Sequence, residues 1–446
     1  MANSGSEITP NYVQILWISQ SCLNRGYSQC ITIIKIRTIM RYSKNNIFIF
    51  LLFSLITIAL SGCGPHKTNL QDILSQPIEV TGHYKNSKKY TKAGITVVYL
   101  TGSPYEVGFA NGKLCKNEIL RANKPFLDIY EKVSLDPQNK WLEVSKKLEI
   151  HIPEEYLEEM RGIADGAAIE YDKILFLNTL TTISMGNKCF AFAFKENNSK
   201  IVTFRQIDID KASFLYKNMI LYIIKPQKGY GFAAILNPGW VDGESGINEK
   251  GITVSQNNIH IRQTEWDIMP ITQLSRQMLQ YSETIDEAEQ LLNKQKAFPA
   301  RLLFVSSKES ASIFEIANKE KARMDMANGF LTLANHACLI PSKNLLSSST
   351  RRLDFGNEFL DKNFKEMDKE KALELVRSSR ISWRWNLGVH NRQSFIFSPS
   401  DLDFWIAIPP DSNFTPASYG PYIGFNLRHE LYDSGDEANP KSFPAK

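Results

Sequence analysis

From residue 189 onward, apolar and polar positions alternate in short runs: FAFAF, KIVTF, MILYIIK, GFAAIL, GITVSQN, RLLFVS and ASIFEI, then QSFIFSP and FWIAI near the end. A period of two sends successive side chains to opposite faces of a strand, so the pattern predicts antiparallel sheets joined by turns such as KENNSK and INEKG. Ahead of residue 189 the period changes. ITVVYL (95–100) reads as a strand, but 102–133 carries apolar residues at helical spacing. So does 152–171, where Pro153 and several glutamates stand at the start, as the helix dipole favours. One helix interrupts the later strands from about Thr284, with Glu287 in a capping-box position. The order predicts an α+β body of roughly 350 residues, long for one core but acceptable for one layered domain. Its expected architecture is a four-layer αββα sandwich, two antiparallel sheets face to face with helices outside both.

The amino-terminal pattern belongs to neither class. Arg41 and Lys44 precede fourteen residues, Ile47 to Leu60, apolar except for Ser54 and Thr57, and then Leu60-Ser61-Gly62-Cys63. That apolar run is short for a bilayer span and has the basic, apolar, small-residue order of an export signal. LSGC resembles the lipobox of bacterial lipoproteins, which implies removal of 1–62, lipidation of Cys63 and attachment to a membrane of the cell envelope. Residues 1–39 have no periodicity, and starting at Met40 gives a signal of ordinary length, so translation is expected to begin there. The polar, Lys-rich stretch 63–92 reads as a tether. Residues 434–446 read as unpacked.

Charge and cysteine usage change once the leader is set aside. The chain holds 52 Lys and Arg against 47 Asp and Glu, but 1–62 contributes five bases and one acid, leaving 47 against 46. The basicity belongs to the leader, which removes the electrostatic argument for nucleic acid. Of six cysteines, Cys115, Cys189 and Cys338 remain unlipidated after processing. An odd number outside the cytoplasm leaves one thiol unpaired or bonded to another chain.

Alternation places Cys189, Ala191 and Ala193 on one strand face and Phe190, Phe192 and Phe194 on the other. If KENNSK is a hairpin turn, Cys189 is opposite position 205, within two residues, which brings Arg205 and Asp208 near the thiol. A guanidinium beside sulfur is expected to lower the thiol's pKa. Alternatively Cys189 is a small buried apolar residue, with Arg205 and Asp208 an ordinary ion pair. GINEKGITVSQNN delivers Asn257 and Asn258 to a strand end, TLANHA places Asn335 after another apolar run, and SSSTRRLDF supplies Arg351 and Arg352. His260, His336 and His390 lack metal-ligand spacing, so no metal or cofactor is called for. A papain-like pairing of Cys189 with His336 lacks that class's local signatures. Trp383, Trp385 and Trp405 read as core or pocket wall.

These residues together resemble the amide hydrolases with an N-terminal nucleophile, specifically the penicillin acyltransferase-like group, with choloylglycine hydrolase and penicillin V acylase as more distant relatives. GSPYEVGFANGKL is similar to the family's opening G-S-P-Y-E-x-G-x-x-x-G-x-L, and EYLEEMRGIADGAAIEYDKILFLN to the helix ahead of the nucleophile. FRQIDID is similar to R-N-x-D, and GINEKG to G-x-N-E-x-G. The resemblance implies a precursor that Cys189 cuts between Lys188 and itself, giving a small chain (93–188) and a catalytic large chain (189–446). The freed α-amine then serves as the thiol's general base. Arg205 would hold the thiolate, Asp208 orient the amine, and Asn258 donate to the oxyanion. Asn335 corresponds to the second active-site asparagine, and Arg351 to the later arginine, with Arg352 beside it. Gln206, Phe190 and Lys188 depart from the pattern, and the last two bear on how fast self-cleavage runs. The implied reaction is cleavage of a linear amide of a small molecule through an acyl-thioester on Cys189. Acyl transfer, or a lipid-anchored binding protein on a decayed enzyme fold, are the alternatives. Oligomeric state is left open.

Overall fold

The computed structural model describes residues 77–135, 140–183, 188–197, 199–210, 219–341, 347–382, 389–407 and 415–432. The stretch read as an export signal, Cys63, Trp383, Trp385 and the expected unpacked end lie outside them, as does the His390 side chain.

Strands β1 (Glu79–Tyr84), β2 (Ser87–Lys92) and β3 (Ile95–Gly102) come first. Helices α1 (Pro104–Ser134), α2 (Lys140–Glu149), α3 (Glu154–Ala167) and α4 (Tyr171–Ile183) follow. Next are β4 (Lys188–Glu196), β5 (Lys200–Asp210), β6 (Ile220–Pro226), β7 (Phe232–Leu236), β8 (Ser245–Asn248) and β9 (Thr253–Asn258). Helices α5 (Ile271–Tyr281) and α6 (Ile285–Asn293) lead to β10 (Phe298–Ser306), β11 (Ala311–Asn318), β12 (Glu320–Asp325) and β13 (Phe330–Leu333). The chain closes with α7 (Ser347–Asn363), α8 (Lys369–Arg377), β14 (Val389–Ser398), β15 (Asp403–Ala407), β16 (Tyr422–Asn426) and α9 (Leu427–Tyr432).

One sheet runs β1-β2-β3-β6-β7-β8-β9-β10-β11-β12 and the other β13-β4-β5-β14-β15-β16. Every pairing is antiparallel except β3 with β6. Their inner faces meet: Cys189 and Ile207 pack with Leu221, Ile223 and Ile235, and Ala191 and Ala193 with Leu302, Phe304 and Ile313. Outside the first sheet, Met160, Ile163, Leu177 and Leu274 of the helices cover Val98, Leu100 and Val254. Outside the second, Leu360 of α7 and Leu373 of α8 cover Phe190, Phe192, Phe194 and Phe204. The chain is therefore a four-layer αββα sandwich. The alternation in FAFAF sets it, with small residues inward between the sheets and large rings outward beneath helices.

Local chemistry starts and stops these helices. Ser103 and Glu106 form a complete capping box at α1, and Ala168 ends α3 in the left-handed conformation. At α6 the expected box is half present. Thr284 Oγ accepts the Glu287 N–H at 3.1 Å, but the Glu287 carboxylate accepts the Glu283 N–H at 2.6 Å.

The stretch expected to be tether up to residue 92 holds β1 and β2. Sequence reading missed them because EVTGHY and SKKYTK lack apolar alternation: β1 is an edge strand, and β2 is anchored by polar groups. The Lys92 ammonium lies 2.6 Å from Glu430 of α9, whose other oxygen accepts the Tyr90 hydroxyl at 2.6 Å, all buried. A buried lysine tolerates this position because its charge is matched there.

Candidate active site

The β4–β5 hairpin pairs Cys189 with Ile207, Ala191 with Arg205 and Lys188 with Asp208. Paired residues share a face, so Arg205 lies on the thiol's side, between the sheets, and Asp208 on the far side, toward the helices. The Arg205 guanidinium is fully buried and 3.3 Å from Cys189 Sγ. β9 holds it there: Arg205 donates to Asn257 Oδ1 and to the Gln256 carbonyl, with the Glu244 carboxylate 3.9 Å away. Asn257 in turn donates to the Ala334 carbonyl at 2.6 Å.

Asn335 is the hub of the site. Its Oδ1 accepts the Cys189 backbone N–H at 2.7 Å and an Arg352 N–H at 2.7 Å, while its amide donates to the Asn258 carbonyl at 2.9 Å. Ser349 Oγ accepts the Asn335 N–H at 2.7 Å and lies 2.7 Å from His336 Nδ1. His336 thus serves the hub's scaffold and is not the thiol's partner. The other end of the Arg352 guanidinium is 3.1 Å from the Asp208 carboxylate, which also accepts from Asn391 at 3.2 Å. Asp208 therefore reaches the Cys189 nitrogen through Arg352 and Asn335.

The arginine assignment is corrected by one position. Arg352 is buried and Arg351 exposed on α7, because Ser349, Arg352, Gly356 and Leu360 form the face turned to the second sheet. Gly356 lies so close to β4 that a Cβ there would stand 2.7 Å from the Phe190 ring. Taking away Arg352 leaves Asp208 buried without its cation. Arg352→Met should lower unfolding free energy by about 3 kcal/mol, whereas exposed Arg351→Met should cost about 1 kcal/mol or less. Urea denaturation of the two variants compares them directly.

Electrostatics correct a second expectation. Burial pushes the Cys189 thiol above its ordinary value; Arg205 and Arg352 pull it down, while Glu244 and Asp208 oppose them. Desolvation wins, so the sulfur is held as a thiol. Burial also raises Asp208, to about 6, against the pull of Arg352, Asn391 and Arg205. Buried Asp242 and half-buried Glu244, the latter 3.9 Å from Arg205, are raised by desolvation, and Glu244 further by the charge of Asp242.

A pH dependence follows for Asp208. Its folded pKa exceeds its ordinary 3.8, so its stability contribution is full below that value and is lost as pH rises through about 6. Its charge on Arg352 behaves oppositely and disappears as pH falls below about 6. Any activity that needs the Asp208–Arg352 pair should show an acidic limb near that pH, and Asp208→Asn should remove the dependence along with most of the rate. Rate profiles between pH 4 and 8 test it.

Of the residues read from sequence, Cys189, Arg205, Asp208 and Asn335 are joined through direct contacts and Arg352. Asn258 is half-buried at the end of β9 and joins through its carbonyl. Trp405 lies in the outer core. Gln256, Asn391 and Glu244 were missed. Asn391 faces Asp208 across β14 and β5, a register visible only once those strands are known to be neighbours.

Residues 195–393 match the model of the acyl-coenzyme A:6-aminopenicillanic acid acyl-transferase family. The match begins six residues after Cys189 and includes Arg205, Asp208, Asn258, Asn335 and Arg352. An uncharacterized protein of Archaeoglobus fulgidus is 25% identical over 237 residues, which are 46% of this chain and 40% of that protein. The 40 kDa form of the acyl-coenzyme A:6-aminopenicillanic-acid-acyltransferase of Emericella nidulans is 22% identical over 248 residues, 54% of this chain and 68% of that protein. Among solved structures, a conjugated bile acid hydrolase of Clostridium perfringens aligns with a TM-score of 0.42 at 10% identity, over 58% of this chain and 97% of that one. Over its central stretch, the chain is similar to this acyl-transferase family.

Proposed function

We propose that the chain is a self-processing cysteine amidohydrolase acting on linear amides. One observation carries the reading: the Cys189 sulfur lies on Arg205 at 3.3 Å while its own backbone nitrogen is already held by Asn335 at 2.7 Å. The nitrogen that cleavage would free thus has its acceptor in place beforehand. Similarity to the acyl-transferase family around these residues supports the same chemistry.

In processing, the Cys189 sulfur bonds to the Lys188 carbonyl carbon and the Lys188–Cys189 C–N bond breaks, the thiol proton passing to the departing nitrogen. Water then hydrolyses the thioester, leaving a carboxylate on Lys188 and a free amine on Cys189. In turnover that amine takes the thiol proton, the sulfur attacks the substrate carbonyl, the amine half leaves with the proton, and water then hydrolyses the acyl-thioester, releasing the acid and restoring the thiol. Arg205 stabilises the developing thiolate. The Asp208–Arg352–Asn335 chain orients the α-amine, and Asn258 donates to the oxyanion. Such a donor contributes about 3 kcal/mol to the transition state. Asn258→Ala should therefore slow turnover on the order of a hundredfold with folding intact, measured as kcat beside a thermal melt.

Assay of N-acyl amino acids, penicillin V and bile-salt conjugates, with the processed protein and with Cys189→Ser, tests the reading. Acyl release from none of them would favour a binding protein on the same fold. Because the matching family is named for acyl transfer, each assay should include a competing amine. An acylated amine in place of free acid would mark a transferase. We also propose export with lipidation at Cys63; Cys63→Ser should move the protein from the membrane to the soluble fraction, and unchanged fractionation would contradict it.

A further inference from the structure

A cavity of about 580 Å³ is lined by residues of β11, β12, β13 and α7. Its volume falls in the range of small-molecule sites. Leu331, Leu333 and Leu353 give it apolar walls, and its described charged groups carry one sign. Glu315, Asp325, Glu358 and Asp361 line it, and among the described residues no lysine or arginine does. Asp325 is paired with Arg323 at 2.6 Å, whereas Glu358 and Asp361 stand exposed on α7.

Glu315 supplies the separate observation. It is 1% exposed, and its two oxygens accept the backbone N–H groups of Cys338, Leu339 and Ile340 at 2.6, 2.8 and 2.9 Å. Acceptance from N–H donors at both oxygens is the pattern of a carboxylate. Peptide dipoles solvate this charge, and no side-chain cation is among these partners. An apolar cavity with a buried anion on its wall and more carboxylates around it matches a ligand of complementary charge.

We propose that this cavity binds an amphiphilic amine, an organic cation with an apolar body. Ala334 and His336 line it and flank Asn335, so the ligand would sit one residue from the hub that holds Cys189. Binding here does not require Cys189 chemistry.

Calorimetry on the wild-type protein at low salt tests the site, with hexyltrimethylammonium as probe and hexanesulfonate as the matched anion. The cation should bind and the anion should not. Glu358→Gln combined with Asp361→Asn, both exposed helix positions, should weaken the cation about fivefold. Leu353→Trp, which fills the cavity, should abolish binding; thermal melts confirm that both variants fold. Absence of cation binding, anion binding of equal strength, or an affinity unchanged in either folded variant would each overturn the proposal. An inactive enzyme that still binds the cation would overturn the amidohydrolase reading and leave this site standing.

Discussion

Cys189→Ala should remain a single chain and release no acyl group from any substrate, a loss on the order of 10⁵-fold or more in turnover. The size of the effect follows from what the sulfur is asked to do. It is the nucleophile of both proposed reactions, and the described residues around it offer no second thiol: Cys115 is buried among the helices and Cys338 is exposed near Glu315. The fold should tolerate the change. Arg205 loses a contact at 3.3 Å but keeps Asn257 and Gln256 as acceptors, and alanine fits a face already built of Ala191 and Ala193. The expected structural cost is about 1 kcal/mol. A melt of Cys189→Ala close to that of the wild type, beside absent cleavage, separates lost chemistry from lost structure. Turnover persisting in this variant would remove Cys189 from the mechanism.

The second large effect lies far from the site, where α1 crosses α3. Gly108 and Gly112 on one helix face Gly162 and Gly166 on the other, and the backbones touch. A Cβ at Gly112 would stand 2.3 Å from the Ile163 carbonyl oxygen and 2.7 Å from the Ala167 nitrogen. At Gly162 it would stand 2.3 Å from the Tyr105 carbonyl oxygen. These atoms belong to helical backbone and cannot step aside as a side-chain tip would. Gly112→Val must therefore push the helices apart and open the core they share with Val98 and Leu100. The expected cost is about 4 kcal/mol, a large share of a domain's usual 5–15. Chemical denaturation should show the loss, and a change under about 1 kcal/mol would mean that the helices separate freely. Gly108 and Gly112, with Gly162 and Gly166, thus have a packing reason, and their replacement would be felt on the side of the first sheet remote from Cys189.

Much of the site was legible because it rests on one hairpin. Period-two alternation gave both faces of β4, and the turn KENNSK gave a register correct within two residues, which placed Arg205 beside the thiol. Four matters escaped. β1 buries none of its residues, and β2 is held by Ser87, Tyr90 and Lys92, a set that no apolar alternation marks. The choice between Arg351 and Arg352 needed the helical phase of 347–363, where Gly356 and Leu360 share a face with Arg352. A stretch as polar as SSSTRRLDFGNEF conceals that phase. The sign of the thiol's shift depended on burial, which a nearby arginine in the sequence does not reveal. Glu244 and Gln256 joined the site through sheet packing, since β5 and β9 belong to different sheets.

The pieces on either side of Cys189 are built into one body. β3 pairs with β6, and α1, α3 and α4 share a core with Tyr222 and Val254. Cleavage should leave both pieces associated under native conditions. Intact mass and amino-terminal sequence of the purified protein, after denaturation, test self-cleavage most directly. Two fragments should appear, one ending at Lys188 and one beginning at Cys189, and they should elute together before denaturation. A single uncut chain after prolonged incubation would contradict processing at Cys189 and the mechanism built on its freed amine.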